Sequence, residues 1–134
     1  MSLRPETFIC LGCGIEKRYH YSSFGKFCSN ACQREYTTSN LDRLFTAGEP
    51  DIYKTNASRR KALTRIRGHK CQTCGIENWN NKPIILELEH IDGNYNNNII
   101  TNLELICPNC HSQTDTYKNK NKGHGRPWRR KSAE

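Results

Sequence analysis

Cys71-Gln72-Thr73-Cys74-Gly75 and, further along, Cys107-Pro108-Asn109-Cys110-His111 are the stretches that decide how this 134-residue chain folds. A two-residue gap lets both thiolates of a pair reach one ion at about 2.3 Å, from a turn that Gly75 suits. The 32 residues between the pairs are then pinned by a single tetrahedral ion. Pinning matters because little else can hold them. Leu, Ile and Phe number 24 in the whole chain and Val is absent. Apolar content below about 20%, with a high net charge, usually means disorder. The net charge is +8.

A second quartet stands upstream: Cys10 and Cys13, then Cys28 and Cys32, with Gly12 and Gly14 flanking Cys13. His20 is a possible substitute for one thiolate; the plainer reading is a surface histidine. No run approaches the roughly 18 apolar residues of a membrane span, and Met1–Glu6 has no apolar signal-type run. A cytoplasmic protein with reduced thiols is therefore expected, with disulfides as the alternative. The reading is two structural Zn2+ ions. A closed four-sulfur site leaves no position for water, so these ions are scaffold, and any chemistry must come from elsewhere.

Charge is segregated along the chain. Residues 1–36 carry a net +2, 37–70 a net +5, 71–117 a net −5 and 118–134 a net +6. Basic flanks suit a polyanion, because each Lys or Arg on a phosphate releases counterions. An acidic middle repels one unless a cation sits there. The pattern implies a metal-dependent site acting on a phosphate backbone; the alternative is merely solvated surface.

The fold class expected is a small α+β protein, organised in four parts. Residues 1–36 form an N-terminal zinc-finger module, with Ser29 capping a short helix through Tyr36. Residues 37–70 are a linker and a basic helix. The linker covers 37–51, with one helical turn at Leu41–Phe45. Asn56 or Ser58 caps the helix, which ends near Gly68. Residues 71–117 read as a strand over Ile84–Glu89, an Asp-Gly and Asn-rich loop, a strand over Leu103–Ile106, and a helix from Pro108 to about Tyr117. Residues 118–134 form a basic tail.

Within 71–117, three segments agree in order and spacing. They are Leu88-Glu89-His90-Ile91-Asp92-Gly93-Asn94, Asn98-Ile99-Ile100-Thr101-Asn102-Leu103 and Cys107-Pro108-Asn109-Cys110-His111-Ser112-Gln113-Thr114. This His-Asn-His series in a zinc-ribbon frame resembles the HNH endonuclease family. The upstream Cys-Gln-Thr-Cys-Gly and Trp79 look like its phage and mobile-element branch. The resemblance covers Cys71 to Tyr117, about a third of the chain.

The resemblance implies a ββα-metal fold that hydrolyses DNA phosphodiesters with one divalent cation, leaving a 3′-hydroxyl and a 5′-phosphate. His90 would be the general base, a role that an ordinary imidazole suits at neutral pH. Asn102 would orient that imidazole through its side-chain amide or its backbone. His111 and Glu89 would bind the cation, Mg2+ first, with Mn2+ or Ni2+ as alternatives. The family commonly has Asp where this chain has Glu89. An ideal strand also sends Glu89 and His90 to opposite faces. Asp92 is the substitute ligand, although Asp-Gly is more often a turn. Gln113, Thr114 and Asp115 lie near His111 without an assigned role.

The basic residues are the expected contacts for double-stranded DNA: Arg59, Arg60 and Arg65 on the helix, and Lys118, Lys120, Lys122, Arg126, Arg129 and Arg130 in the tail. Lys61 and Arg67 flank the same helical stripe. The N-terminal module could dock a protein partner or a second copy of the chain. The expected setting is the cytoplasm of a bacterial or phage-infected cell. The competing reading is a non-catalytic, zinc-dependent DNA-binding or adaptor protein with a relic site.

Overall fold

The computed structural model describes residues 6–19 and 25–118. The chain divides into two compact units, Met1–Arg43 and Leu44–Glu134. It is a small mixed α+β protein with short, two-stranded sheets. Among the described residues, no helix is long and apolar enough to cross a membrane.

In the first unit, β1 (Thr7–Ile9) pairs antiparallel with β2 (Glu16–Arg18), Phe8 opposite Lys17. The turn between them carries Cys10 and Cys13. Gly14 N–H donates to Cys10 O at 2.8 Å, and Cys10 N–H donates to Ile15 O at 3.0 Å. Gly14 sits at φ +72°, where a side chain would be strained. Gly12 serves differently. A Cβ there would lie 2.7 Å from the Cβ and carbonyl oxygen of Cys32, so only glycine lets the turn approach the helix that carries Cys32. Ser29 caps that helix as predicted, its Oγ accepting from Cys32 N–H at 3.1 Å.

The helix does not stop at Tyr36. It runs as α1 from Asn30 to Thr46, so the expected linker beginning at residue 37 is wrong. The hydroxyl-rich stretch that suggested a linker is tolerated because Thr37 Oγ1 donates back to Gln33 O at 2.8 Å within the helix. At the far end, Phe45 is 1% exposed in the core of the second unit. The stop follows directly: Gly48, at φ +88°, donates to Phe45 O, and Glu49 N–H donates to Leu44 O. These two bonds are the glycine-terminated helix end that satisfies orphan carbonyls.

In the second unit, α2 (Asn56–Arg67) is capped by Thr55 rather than by Asn56 or Ser58. Thr55 Oγ1 accepts from Ser58 N–H, and Ser58 Oγ accepts from Thr55 N–H. The reciprocal pair satisfies two of the helix's free donors. Gly68 ends the helix at φ +85°, as expected. A tight hairpin follows, β3 (Asn78–Trp79) and β4 (Lys82–Pro83), turned by Asn80 and Asn81 at φ +53° and +62°. Asparagine is among the few residues that tolerate this conformation.

The central ladder is β5 (Glu87–His90) against β6 (Leu103–Ile106), with Glu87 opposite Ile106 and His90 opposite Leu103. Residues 84–86, expected in the strand, lie outside the ladder; Ile84 N–H donates to Glu77 O instead. After β6, α3 spans only Pro108–Ser112, not the stretch to Tyr117. Thr114 Oγ1 takes His111 O at 2.9 Å, and the chain continues in turns.

The core of this unit is Phe45, Ala62, Leu63, Leu86, Ile100, Leu103, Leu105 and Ile106, with Cys71 and Cys107 among them. The second quartet is thus part of the core.

Candidate functional site

The two quartets come together as predicted. Within each, the four sulfurs lie within 4.8 Å of one another. Cys28 Sγ is 3.4 Å from Cys32 Sγ and 3.7 Å from Cys13 Sγ; Cys74 Sγ is 3.8 Å from Cys107 Sγ. A tetrahedral ion with bonds of about 2.3 Å needs sulfurs about 3.8 Å apart, so both groups fit a zinc frame. The second turn copies the first: Gly75 N–H donates to Cys71 O at 2.8 Å, and Cys71 N–H donates to Ile76 O at 3.0 Å.

Electrostatics point the same way. Hydrogen bonding to the Cys13 and Cys28 backbone outweighs burial and lowers Cys10 to about 6, while the adjoining Cys32, Cys10 and Cys13 sulfurs push Cys28 up to about 12. Burial raises Cys71, but hydrogen bonding to the Cys74, Cys107 and Thr73 backbone brings it down to about 6; burial and the neighbouring sulfurs raise Cys110 to about 12.

The acidic cluster is built by β5 and α3. On a strand, residues two apart share a face. Glu87 and Glu89 therefore stand together, and both meet His111 from α3. Glu87 Oε2 lies 2.5 Å from His111 Nδ1, and Glu89 Oε2 lies 2.9 Å from His111 Nε2. The Thr116 hydroxyl donates to Glu89 Oε1, and the Tyr117 ring stands edge-on to the His111 ring at 5.0 Å. Glu89 is 8% exposed. The two residues expected to share a cation, Glu89 and His111, are thus side by side.

Asp92, the substitute ligand, is spent on its loop. Its Oδ2 accepts from Asn97 Nδ2 at 2.7 Å, and its Oδ1 accepts from Asn94 N–H and Asn102 Nδ2. These bonds, led by that from Asn97, hold its carboxyl below the usual carboxylate range.

His90 turns away from the carboxylate face. Its Nε2 is 2.9 Å from the Asn98 side-chain amide. With its oxygen towards the ring, the amide accepts Nε2–H. Reversed, it donates to Nε2 and to Tyr95 O, and its oxygen accepts from Arg59 Nη2 at 3.2 Å. The ring's partner is therefore Asn98. Asn102, expected to orient it, braces the loop with its side chain, which holds Asp92 N–H, Asp92 Oδ1 and Asn97 O. Its carbonyl accepts from Ile91 N–H at 2.9 Å, next to His90 in the chain.

Arg59 is a correction. It is 7% exposed, with Nη1 donating to Asn56 Oδ1 at 2.8 Å and Nη2 3.8 Å from Asp51. Burial lowers its pKa, against the opposing pull of Asp51. A side chain so enclosed is not available to a phosphate. Arg67 likewise serves the fold, donating to Leu103 O and Ile100 O. Arg60 and Arg65 are exposed, Arg65 with its Nη2 3.2 Å from Tyr53 Oη. Lys118 Nζ lies 5.0 Å from the Tyr117 ring centre. Lys120, Lys122, Arg126, Arg129, Arg130 and His20 lie outside the described residues.

Arg59→Ala is accordingly expected to lower the stability of the second unit by about 1–3 kcal/mol. Arg60→Ala should leave the melting temperature unchanged, since that side chain is exposed. Thermal melts of both variants check this contrast.

A 58-residue stretch of the chain is 57% identical to the H-N-H endonuclease F-TflIV of Escherichia phage T5. The chain is similar to an HNH endonuclease. The stretch is 43% of this chain and 26% of the relative, so the chain spans about a quarter of that protein's length. No protein-family profile matches the chain, and no solved structure matches it.

Sequence reasoning missed Glu87, Asn98 and Thr116. Glu87 could have been found from strand alternation, since it shares a face with Glu89. Asn98 and Thr116 gave no such signal. Their contacts depend on loop paths that the sequence pattern does not fix.

Proposed function

We propose that the chain is a metal-dependent HNH endonuclease that hydrolyses DNA phosphodiester bonds and leaves 3′-hydroxyl and 5′-phosphate ends. The observation that carries the reading is the convergence of Glu89 and His111 at 2.9 Å, between a strand and a helix tied to the second quartet. The likeness to a phage H-N-H endonuclease supports it. Both quartets take Zn2+, whose tetrahedral thiolate preference matches their sulfur spacing. A carboxylate oxygen and an imidazole nitrogen suit a hard or borderline divalent ion, Mg2+ with its own waters or Mn2+ and Ni2+.

Glu89 and His111 would hold the ion, which would supply polarisation of the scissile phosphate and stabilisation of the leaving 3′ oxygen. The chain's own groups do the rest. His90 takes a proton from the attacking water. Asn98 holds the ring at Nε2 through its side-chain amide. The water oxygen bonds to phosphorus, the P–O3′ bond breaks, O3′ takes a proton from solvent, and His90 returns its own proton to solvent. Asn102 keeps the loop beyond His90 in place. Arg60, Arg65 and the tail cations hold the duplex by its backbone. The 71–117 segment, with α2 and α1's last turn packed on it, is the nuclease core. The N-terminal module serves as a zinc-bearing accessory.

The test is cleavage of supercoiled plasmid by zinc-loaded protein. Nicked or linear product is expected with Mg2+ or Mn2+, and none without added divalent ion. Binding without cleavage under Mg2+, Mn2+ and Ni2+ would overturn the enzyme reading and favour a binding module with a relic site.

A further inference from the structure

The His111 ring is clamped at both nitrogens by carboxylates two residues apart on β5, and the two contacts differ. Nδ1 lies 2.5 Å from Glu87 Oε2, and Nε2 lies 2.9 Å from Glu89 Oε2. An ion with bonds of about 2.1 Å holds adjacent octahedral ligands about 3.0 Å apart. The Glu89 side matches that separation. The Glu87 side is too close for an ion between the two atoms, but it is the distance of a short, charge-assisted hydrogen bond. A neutral imidazole has one proton, and this geometry gives it to Nδ1. Glu89 is held in turn by the Thr116 hydroxyl on Oε1, which leaves Oε2 towards the ring.

We infer that Glu87 is a positioning residue: it accepts Nδ1–H of His111 and thereby turns the Nε2 lone pair towards the cation shared with Glu89. Metal-binding histidines commonly donate their other N–H to a carboxylate, which fixes tautomer and ring angle. Here the sheet supplies both parts. Strand alternation places the ligand and its support on one face, and α3 places one ring between them. The inference rests on the proposed metal centre and deepens it.

Mn2+ binding to the full, zinc-loaded chain tests it without relying on cleavage. Affinity is read by calorimetry or by the EPR signal of free Mn2+, and variants are compared at matched melting temperature. Glu89→Ala and His111→Ala should abolish the site. Glu87→Ala should weaken Mn2+ binding by about 10–100-fold. Glu87→Gln, whose amide oxygen still accepts Nδ1–H, should restore affinity to within a few-fold of wild type. Nitrogen-15 spectra of the Mg2+-bound protein should show His111 protonated at Nδ1.

If Glu87→Ala binds Mn2+ like wild type while Glu89→Ala and His111→Ala do not, the inference fails and the metal centre stands. If Glu87→Gln is no better than Glu87→Ala, Glu87 is a ligand and the positioning role is overturned. If Glu89→Ala and His111→Ala both bind like wild type, the metal-centre reading itself fails and the inference goes with it.

Discussion

Stripping the zinc proposed for the second quartet, by a strong chelator or by Cys107→Ser, is expected to abolish the cooperative melt of the Leu44–Glu134 unit. Among the described residues its buried apolar set is eight side chains, and Cys71 and Cys107 sit among them at 1% and 4% exposure. The quartet is also stitched to the ladder. Cys107 N–H donates to Cys71 Sγ at 3.3 Å. Gln72 N–H donates to Leu105 O at 2.8 Å, and Gln72 Oε1 accepts from Leu105 N–H at 2.7 Å. Structural zinc is worth about 10–16 kcal/mol at neutral pH. Whole domains are stable by only about 5–15 kcal/mol. Loss of the ion therefore removes as much free energy as the unit has. Circular dichroism with a zinc-release dye reads both events together. Metal released without loss of the melt would contradict the account.

Acid should act in the same direction. Zinc binds thiolate and not thiol, so protons compete with it for all four sulfurs, and zinc is expected to leave the second quartet as pH falls.

What the sequence revealed divides along a physical line. Paired cysteines at fixed gaps constrain their own geometry, so both quartets were legible from spacing alone. The strand Leu103–Ile106 was legible because its apolar run has one place to go. The helix over residues 37–46 was legible only as one turn at Leu41–Phe45: Thr, Thr and Ser signal a break, and burial of Phe45 overrides them. Arg59 misled for a related reason. A cluster of arginines around a narrow apolar stripe looks the same whether one of them faces outwards or is enclosed beside Asp51 and Asn56. The Glu89–His111 pair followed from a resemblance, but Glu87 and Asn98 emerge only once tertiary structure places them against the two rings.

His90→Ala is expected to lower the plasmid nicking rate by about 10²–10⁴-fold. At about 1.4 kcal/mol per tenfold, that is about 3–6 kcal/mol of transition-state stabilisation. The substitution is selective because of where His90 stands. Its ring lies off the carboxylate face, held at Nε2 by Asn98, while Glu87, Glu89 and His111 form their cluster without it. Its backbone pairing with Leu103 does not depend on the side chain. Zinc content, melting temperature, Mn2+ affinity and DNA affinity should therefore stay near wild type while the rate falls. Added imidazole should recover part of the rate, because the missing function is proton acceptance and the space vacated by the ring can admit a small base. Wild-type cleavage by His90→Ala would remove His90 from the reaction. An equal fall in Mn2+ affinity would instead place it in the metal centre, and the division of labour between the two faces of β5 would have to be abandoned.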